Sequence, residues 1–203
     1  MSTVHIGGVE LIGCQVIKIW STKHFLLWNV RIDSSAVHLL NDKYVTIEDS
    51  TFSNGQGVNG SNSLLGKVAI GGAMLVTNST MWITNSTFEN NRADLGGALY
   101  INESNVTMNE CQFQHSEANV CGGSILAFNA FILGKQCSYY GNSAQYGGVL
   151  PAYQSEIIYS RTHTSVTTKL ILVEESCMWN NRVWRGSLTA VRYKITQLCL
   201  EVF

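Results

Sequence analysis

Along much of the chain, apolar and polar side chains alternate with a period of two. Val45 and Ile47, Met81 and Ile83, and Val106 and Met108 point one way, while Thr46, Trp82 and Thr107 point the other. No segment sustains the i, i+3, i+4 apolar spacing of a capped amphipathic helix. The pattern predicts short strands, with glycine and asparagine making the turns because both tolerate left-handed backbone angles.

The strands recur at a fixed interval. Gly71-Gly72-Ala73 returns as Gly96-Gly97-Ala98, Gly122-Gly123-Ser124, Gly147-Gly148-Val149 and, weakened, Gly186-Ser187-Leu188, at spacings of 25, 26, 25 and 39 residues. Ser35-Ala36-Val37 reads as an earlier, degenerate copy. The stretch before each glycine pair repeats as well, as in Ser86 to Ala93, Cys137 to Ala144 and Ser176 to Val183. Stacking the copies gives columns of constant character. Phe52, Phe88, Phe113, Tyr139 and Met178 form a large column, and Ser50, Ser86, Cys111, Cys137 and Ser176 a small one. Asn91, Ser116, Asn142 and Asn181 form an amide and hydroxyl column, expected to hydrogen-bond turn backbone inside the coil, and Ala93, Ala118, Ala144 and Val183 follow it.

One such unit is too small to bury its own apolar side, but stacked on its neighbours at about 4.8 Å it completes a core and pairs its backbone. The expectation is an all-β single domain over residues 1–203, a right-handed parallel β-helix of about six coils of roughly 25 residues. Two insertions interrupt it, near 55–66 and 151–168. The first is rich in glycine, asparagine and serine and is expected to be flexible. The second carries Tyr153, Tyr159, Arg161 and His163, and inserted loops of repeat arrays often gather on a binding face.

Pairing an F-x-x-N step with a following G-G-A step resembles the repeats of chlamydial polymorphic outer-membrane proteins. The matching residues are Phe88, Asn91, Gly96, Gly97 and Ala98, then Tyr139, Asn142, Gly147 and Gly148. Ser116, Met178 and Ser187 depart from that pattern. The resemblance implies an adhesive or scaffold role outside the cell, with a glycan or a surface protein as partner and no cofactor. The same pectin-lyase-like solenoid also hosts polysaccharide hydrolases and lyases, which makes a carbohydrate-active enzyme the alternative reading.

Charge narrows the choice. Net charge is −1 and charged residues make up 13% of the chain, against about 25% in ordinary domains. No basic footprint for nucleic acid exists. No run of about 18 apolar residues predicts a membrane span. The N-terminus does not read as a signal peptide. Repeat-like material at both ends suggests an internal piece of a longer chain, expected to be extracellular or at a cell surface.

Candidate chemistry is thin. Four aspartates, Asp33, Asp42, Asp49 and Asp94, are scattered, and neither Gly-His-Gly nor Arg-Ile-Lys occurs. One polar column stands out: Asp49, Asn85, Glu110, Gln136 and Glu175. Asp49 and Glu110 should lie two coils apart, roughly 10 Å, near the upper edge of the spacing of inverting glycosidases. Beside the small inward column it should face solvent, either as a plain polar ladder or as a contact for a cation or glycan hydroxyl. Six cysteines without a C-x-x-C step argue against a zinc site. Cys111 and Cys137 should stack inward as thiols, and an even count leaves a disulfide across the stack open. The five histidines share no ligand spacing, and the glycine pairs are turn residues rather than a phosphate loop. N-x-[ST] triplets at Asn59, Asn78, Asn85, Asn102 and Asn105 are glycosylation candidates, although turns rich in these residue types generate such triplets by chance.

Overall fold

A computed structural model describes residues 3–13, 16–63, 66–150, 152–160 and 167–172. Among these residues there is no helix, and the strands form four sheets. Sheet A has eight strands, from Thr3–Gly7 to Thr167–Leu172. Sheet B has six, from Glu10–Ile12 to Ser138–Tyr140, and sheet C six, from Val16–Trp20 to Ala152–Tyr153. Sheet D has five, beginning with Val58–Ser63. Strands pair in parallel except for two antiparallel pairs, Val58–Ser63 with Gly66–Ile70 and Ser155–Ser160 with Thr167–Leu172. A chain that visits the sheets in turn and returns to each in parallel is consistent with a β-helix-like solenoid.

The register sets the size of each circuit. In sheet A, Val4 pairs Phe25, Phe25 pairs Val45, Val45 pairs Met81, Met81 pairs Val106, Val106 pairs Ile132 and Ile132 pairs Ile157. The steps are thus 21, 20, 36, 25, 26 and 25 residues. The two short steps have no strand in sheet D: the chain leaves Arg31–Asp33, turns at Ser34 and enters Ala36–Leu40 of sheet C. The long step carries the antiparallel pair Val58–Ser63 and Gly66–Ile70, so the glycine-rich insertion contains a strand. Val58 and Ile70 pack with Ala36, Leu75 and Tyr100 in a small second cluster. Val37 pairs Met74, which places Ser34-Ser35-Ala36 opposite Gly71-Gly72-Ala73. Aligning Ser35-Ala36-Val37 with that triplet is one residue out of step.

Inside, like sits on like. Phe52, Phe88 and Phe113 are fully buried. Their rings stack at 4.9 and 4.8 Å, and Tyr139 continues the file at 5.1 Å. Leu11 and Ile32 extend the same column into the short circuits. Full burial of such a side chain stabilises by roughly 1.5–3 kcal/mol.

At several corners a residue in the left-handed region is followed by a small polar residue. Asn85 (φ 45) is followed by Ser86, Asn78 (φ 46) by Ser79, and Asn90 (φ 53) by Asn91. The small residue turns inward and clamps two coils. Ser79 Oγ donates to Thr77 O (2.8 Å) and accepts the Asp42 N–H (3.0 Å). Asn91 Nδ2 donates to Phe52 O (3.1 Å) while its Oδ1 accepts the Gly55 N–H (2.9 Å), and Asn142 does the same with Phe113 O and the Ser116 N–H. Buried polar groups of this kind are tolerable only because they are paired. The glycine pairs meet two different demands. Gly96 has φ 66, whereas a Cβ on Gly97 would collide with the backbone carbonyl of Gly123 in the next coil.

Candidate functional site

The corner rule accounts for the polar column singled out in the sequence. Asp49 (φ 49), Asn85 (φ 45), Glu110 (φ 54) and Gln136 (φ 51) all occupy the left-handed corner between sheets A and B, as Gly8 (φ 64) and Asn29 (φ 50) do in earlier coils. Local side-chain hydrogen bonding makes Asn and Asp the commonest non-glycine residues in that conformation. All four are exposed. Asn85 Nδ2 donates to Asp49 Oδ1 (2.8 Å), and Asn109 Nδ2 reaches Glu110 Oε1 (3.3 Å). Asn85 stands on the rung between Asp49 and Glu110, so the two carboxylates are separated by an amide that already bonds one of them. The ladder can offer oxygen and amide contacts to a polar ligand. Glu175 and His163 lie outside the described residues. Tyr153 and Tyr159 are placed only by their strands, which pair Phe128 and Gly134 respectively.

The same geometry accounts for two of the five N-x-[ST] triplets. In Asn78-Ser79-Thr80 and Asn85-Ser86-Thr87 the asparagine takes the left-handed angle, the serine clamps the corner and the threonine opens the next strand. Both amides are committed to the preceding coil, Asn78 Nδ2 to Asn41 Oδ1 (2.7 Å) and Asn85 Nδ2 to Asp49. In Asn102-Glu103-Ser104 the middle residue takes the corner (φ 49), and Asn105 stands exposed at the start of Asn105–Asn109 in sheet A. Asn59 is described only through its strand, Val58–Ser63.

A feature not recognised in the sequence lies on the outer face of sheet A. His24 stacks on Tyr44 (5.0 Å, 14°) and Tyr44 on Trp82 (6.1 Å, 14°). Tyr44, Trp82 and Trp28 are 46%, 38% and 52% exposed. Beside this file a shallow depression is lined by Asn41, Asp42, Lys43, Tyr44, Asn78 and Thr80. Its floor is rigid. The Asp42 carboxylate is buried and accepts from Thr22 N–H (2.7 Å), Thr22 Oγ1 (2.7 Å) and Leu40 N–H (3.0 Å). The signal was present as outward-facing Trp82, but His24 and Tyr44 join it only through the 20- and 36-residue steps.

Other titratable groups fit the architecture. Asp33 accepts from Asn54 Nδ2 (2.7 Å) and Ser53 Oγ (3.1 Å), and the Asn54 bond above all holds its carboxyl below the usual range. Burial, with Lys18 nearby, lowers the His38 imidazole. Cys111 and Cys137 are free thiols on adjacent rungs, as their column predicts, while Cys121 is disulfide-bonded. Among the described residues no three His, Cys, Asp or Glu side chains cluster as metal ligands. No helix of these residues is long and apolar enough to cross a membrane. No protein-family model matches the chain, nor does any curated protein or solved structure.

Proposed function

We propose that this chain is a right-handed parallel β-helix of about six coils that acts outside the cell or at its surface, as an adhesin-like scaffold binding a glycan on the outer face of sheet A. The observation that carries the reading is the exposed file His24, Tyr44 and Trp82 beside a depression edged with amide, ammonium and hydroxyl groups. Aromatic side chains supply rigid contact area at small entropic cost, and amides and hydroxyls adapt their hydrogen bonds to a ligand. A sugar presents both kinds of surface, an apolar C–H face and a rim of hydroxyls. The F-x-x-N and G-G-A steps of the repeat support the surface role by resemblance, and the low net charge suits a neutral ligand better than nucleic acid.

A glycan array probed with the whole chain and with a Tyr44→Ala, Trp82→Ala double variant tests this reading. Both side chains are substantially exposed, so the variant should fold and should lose binding to whatever the wild type retains. Absence of any retained glycan, or equal retention by the variant, would overturn it. Turnover of a polysaccharide panel by the wild type would favour a hydrolase or lyase instead.

A further inference from the structure

The small column between sheets A and B changes chemistry as it runs along the solenoid. After Val9 and Val30 come Ser50 and Ser86, and each hydroxyl donates to the carbonyl two residues back, Glu48 O (2.7 Å) and Thr84 O (2.8 Å). Each also accepts an N–H from the coil before, Val30 N–H (3.2 Å) and Ser50 N–H (3.2 Å). The next two rungs carry Cys111 and Cys137. Their sulfurs keep the backward bond, to Asn109 O (3.3 Å) and Lys135 O (3.3 Å). Gln112 pairs Ser138, and Ser138 N–H donates to Cys111 O (2.9 Å), so the two corners sit directly one above the other. Matched positions on neighbouring strands lie about 4.8 Å apart, within the roughly 4.4–6.8 Å between Cα atoms that a disulfide spans.

We propose that Cys111 and Cys137 are a reactive dithiol that is oxidised to a coil-to-coil disulfide by a small disulfide such as oxidised glutathione. Access gives the order of events. Cys111 is fully buried and Cys137 only partly so. The better access of Cys137 makes it the attacking sulfur, and the neighbouring Cys111 thiol lowers it while Cys137 and burial raise Cys111. Its thiolate attacks one sulfur of the oxidant, forms a mixed disulfide and expels the other half as a thiolate. Cys111 then gives up its proton and attacks Cys137 Sγ, the new disulfide forms, and the second half of the oxidant leaves. Two protein thiols are oxidised and one small disulfide is reduced to two thiols. The product closes a ring through a whole coil and fastens two rungs otherwise held by hydrogen bonds and packing.

The test is incubation of the full chain with oxidised glutathione, thiol trapping, and peptide mapping by mass spectrometry. The expected product is a peptide pair cross-linked through Cys111 and Cys137, removed by dithiothreitol. Cys111→Ser should instead accumulate glutathione on Cys137, because the resolving sulfur is gone, and Cys137→Ser should leave Cys111 unmodified. Serine already fills this column at Ser50 and Ser86, so both variants suit the corner, and the wild-type map decides the matter even if one of them fails to fold. A map with Cys137 unmodified, or joined to a cysteine other than Cys111, would overturn the proposal. So would equal glutathione incorporation at Cys111 in Cys137→Ser.

Discussion

Gly97→Ala isolates the cost of coil stacking from every other property of glycine. Gly97 does not adopt the left-handed region, so an added methyl carries no dihedral penalty. The obstacle is wholly in the neighbouring coil. The new Cβ would meet the carbonyl oxygen of Gly123 and lie 2.7 Å from both C and O of Glu117. All three are backbone atoms inside a hydrogen-bonded ladder, where Gly97 N–H donates to Gly122 O (2.8 Å) and Glu117 N–H to Asn91 O (2.8 Å). No side chain can swing away, so two coils must part. Overpacking commonly costs about 1–3 kcal/mol, and a rigid obstacle places this case at about 3 kcal/mol or more. An alanine tolerated without strain would act in the opposite sense, stabilising by roughly 0.4–1 kcal/mol through the unfolded chain. Gly8→Ala is the matched control: φ is 64 but nothing lies within 4 Å of its Cβ, so only the left-handed cost of about 1–2 kcal/mol applies. Urea unfolding followed by far-UV circular dichroism measures both. A Gly97→Ala midpoint at or above wild type, or one no lower than that of Gly8→Ala, would refute the stacking argument.

Three further perturbations test other parts of the fold. Phe88→Ala removes the middle ring of a fully buried file and should destabilise by about 3–5 kcal/mol in the same urea assay, whereas an exposed aromatic such as Trp28 should cost far less. Ser124 stands where Ala73 and Ala98 stand in other coils, and its buried hydroxyl has no partner among the described residues. Ser124→Ala should therefore hold or raise stability, by about 1 kcal/mol, and a clear loss would reveal a bond to that hydroxyl. Asn54→Ala removes the main support of the Asp33 carboxylate, so its NMR titration should move up toward the ordinary value. A depressed carboxyl adds stability above its unfolded pKa and loses it as pH falls through the folded one, so wild type should show a larger acid-side loss than Asn54→Ala, in which Ser53 and Arg31 still support Asp33.

The repeat was legible because in this architecture one residue's neighbour is its own counterpart in the next coil. Phe52, Phe88 and Phe113 are recognisable as a file from spacing alone, and so are Cys111 over Cys137 and Asn91 with Asn142, because parallel pairing in register turns sequence period directly into contact. The short circuits were not legible. Their steps of 21 and 20 residues carry no glycine pair before the sheet C strand, since a coil without a strand in sheet D has no second corner there; Ser34 makes that turn in the second of them. Four members of the polar column, Asp49, Asn85, Glu110 and Gln136, share a left-handed backbone angle, which the sequence did not announce. Only the tertiary structure could assemble His24, Tyr44 and Trp82. They belong to three coils of unequal length, and a surface file has no buried neighbour demanding that its residues be alike.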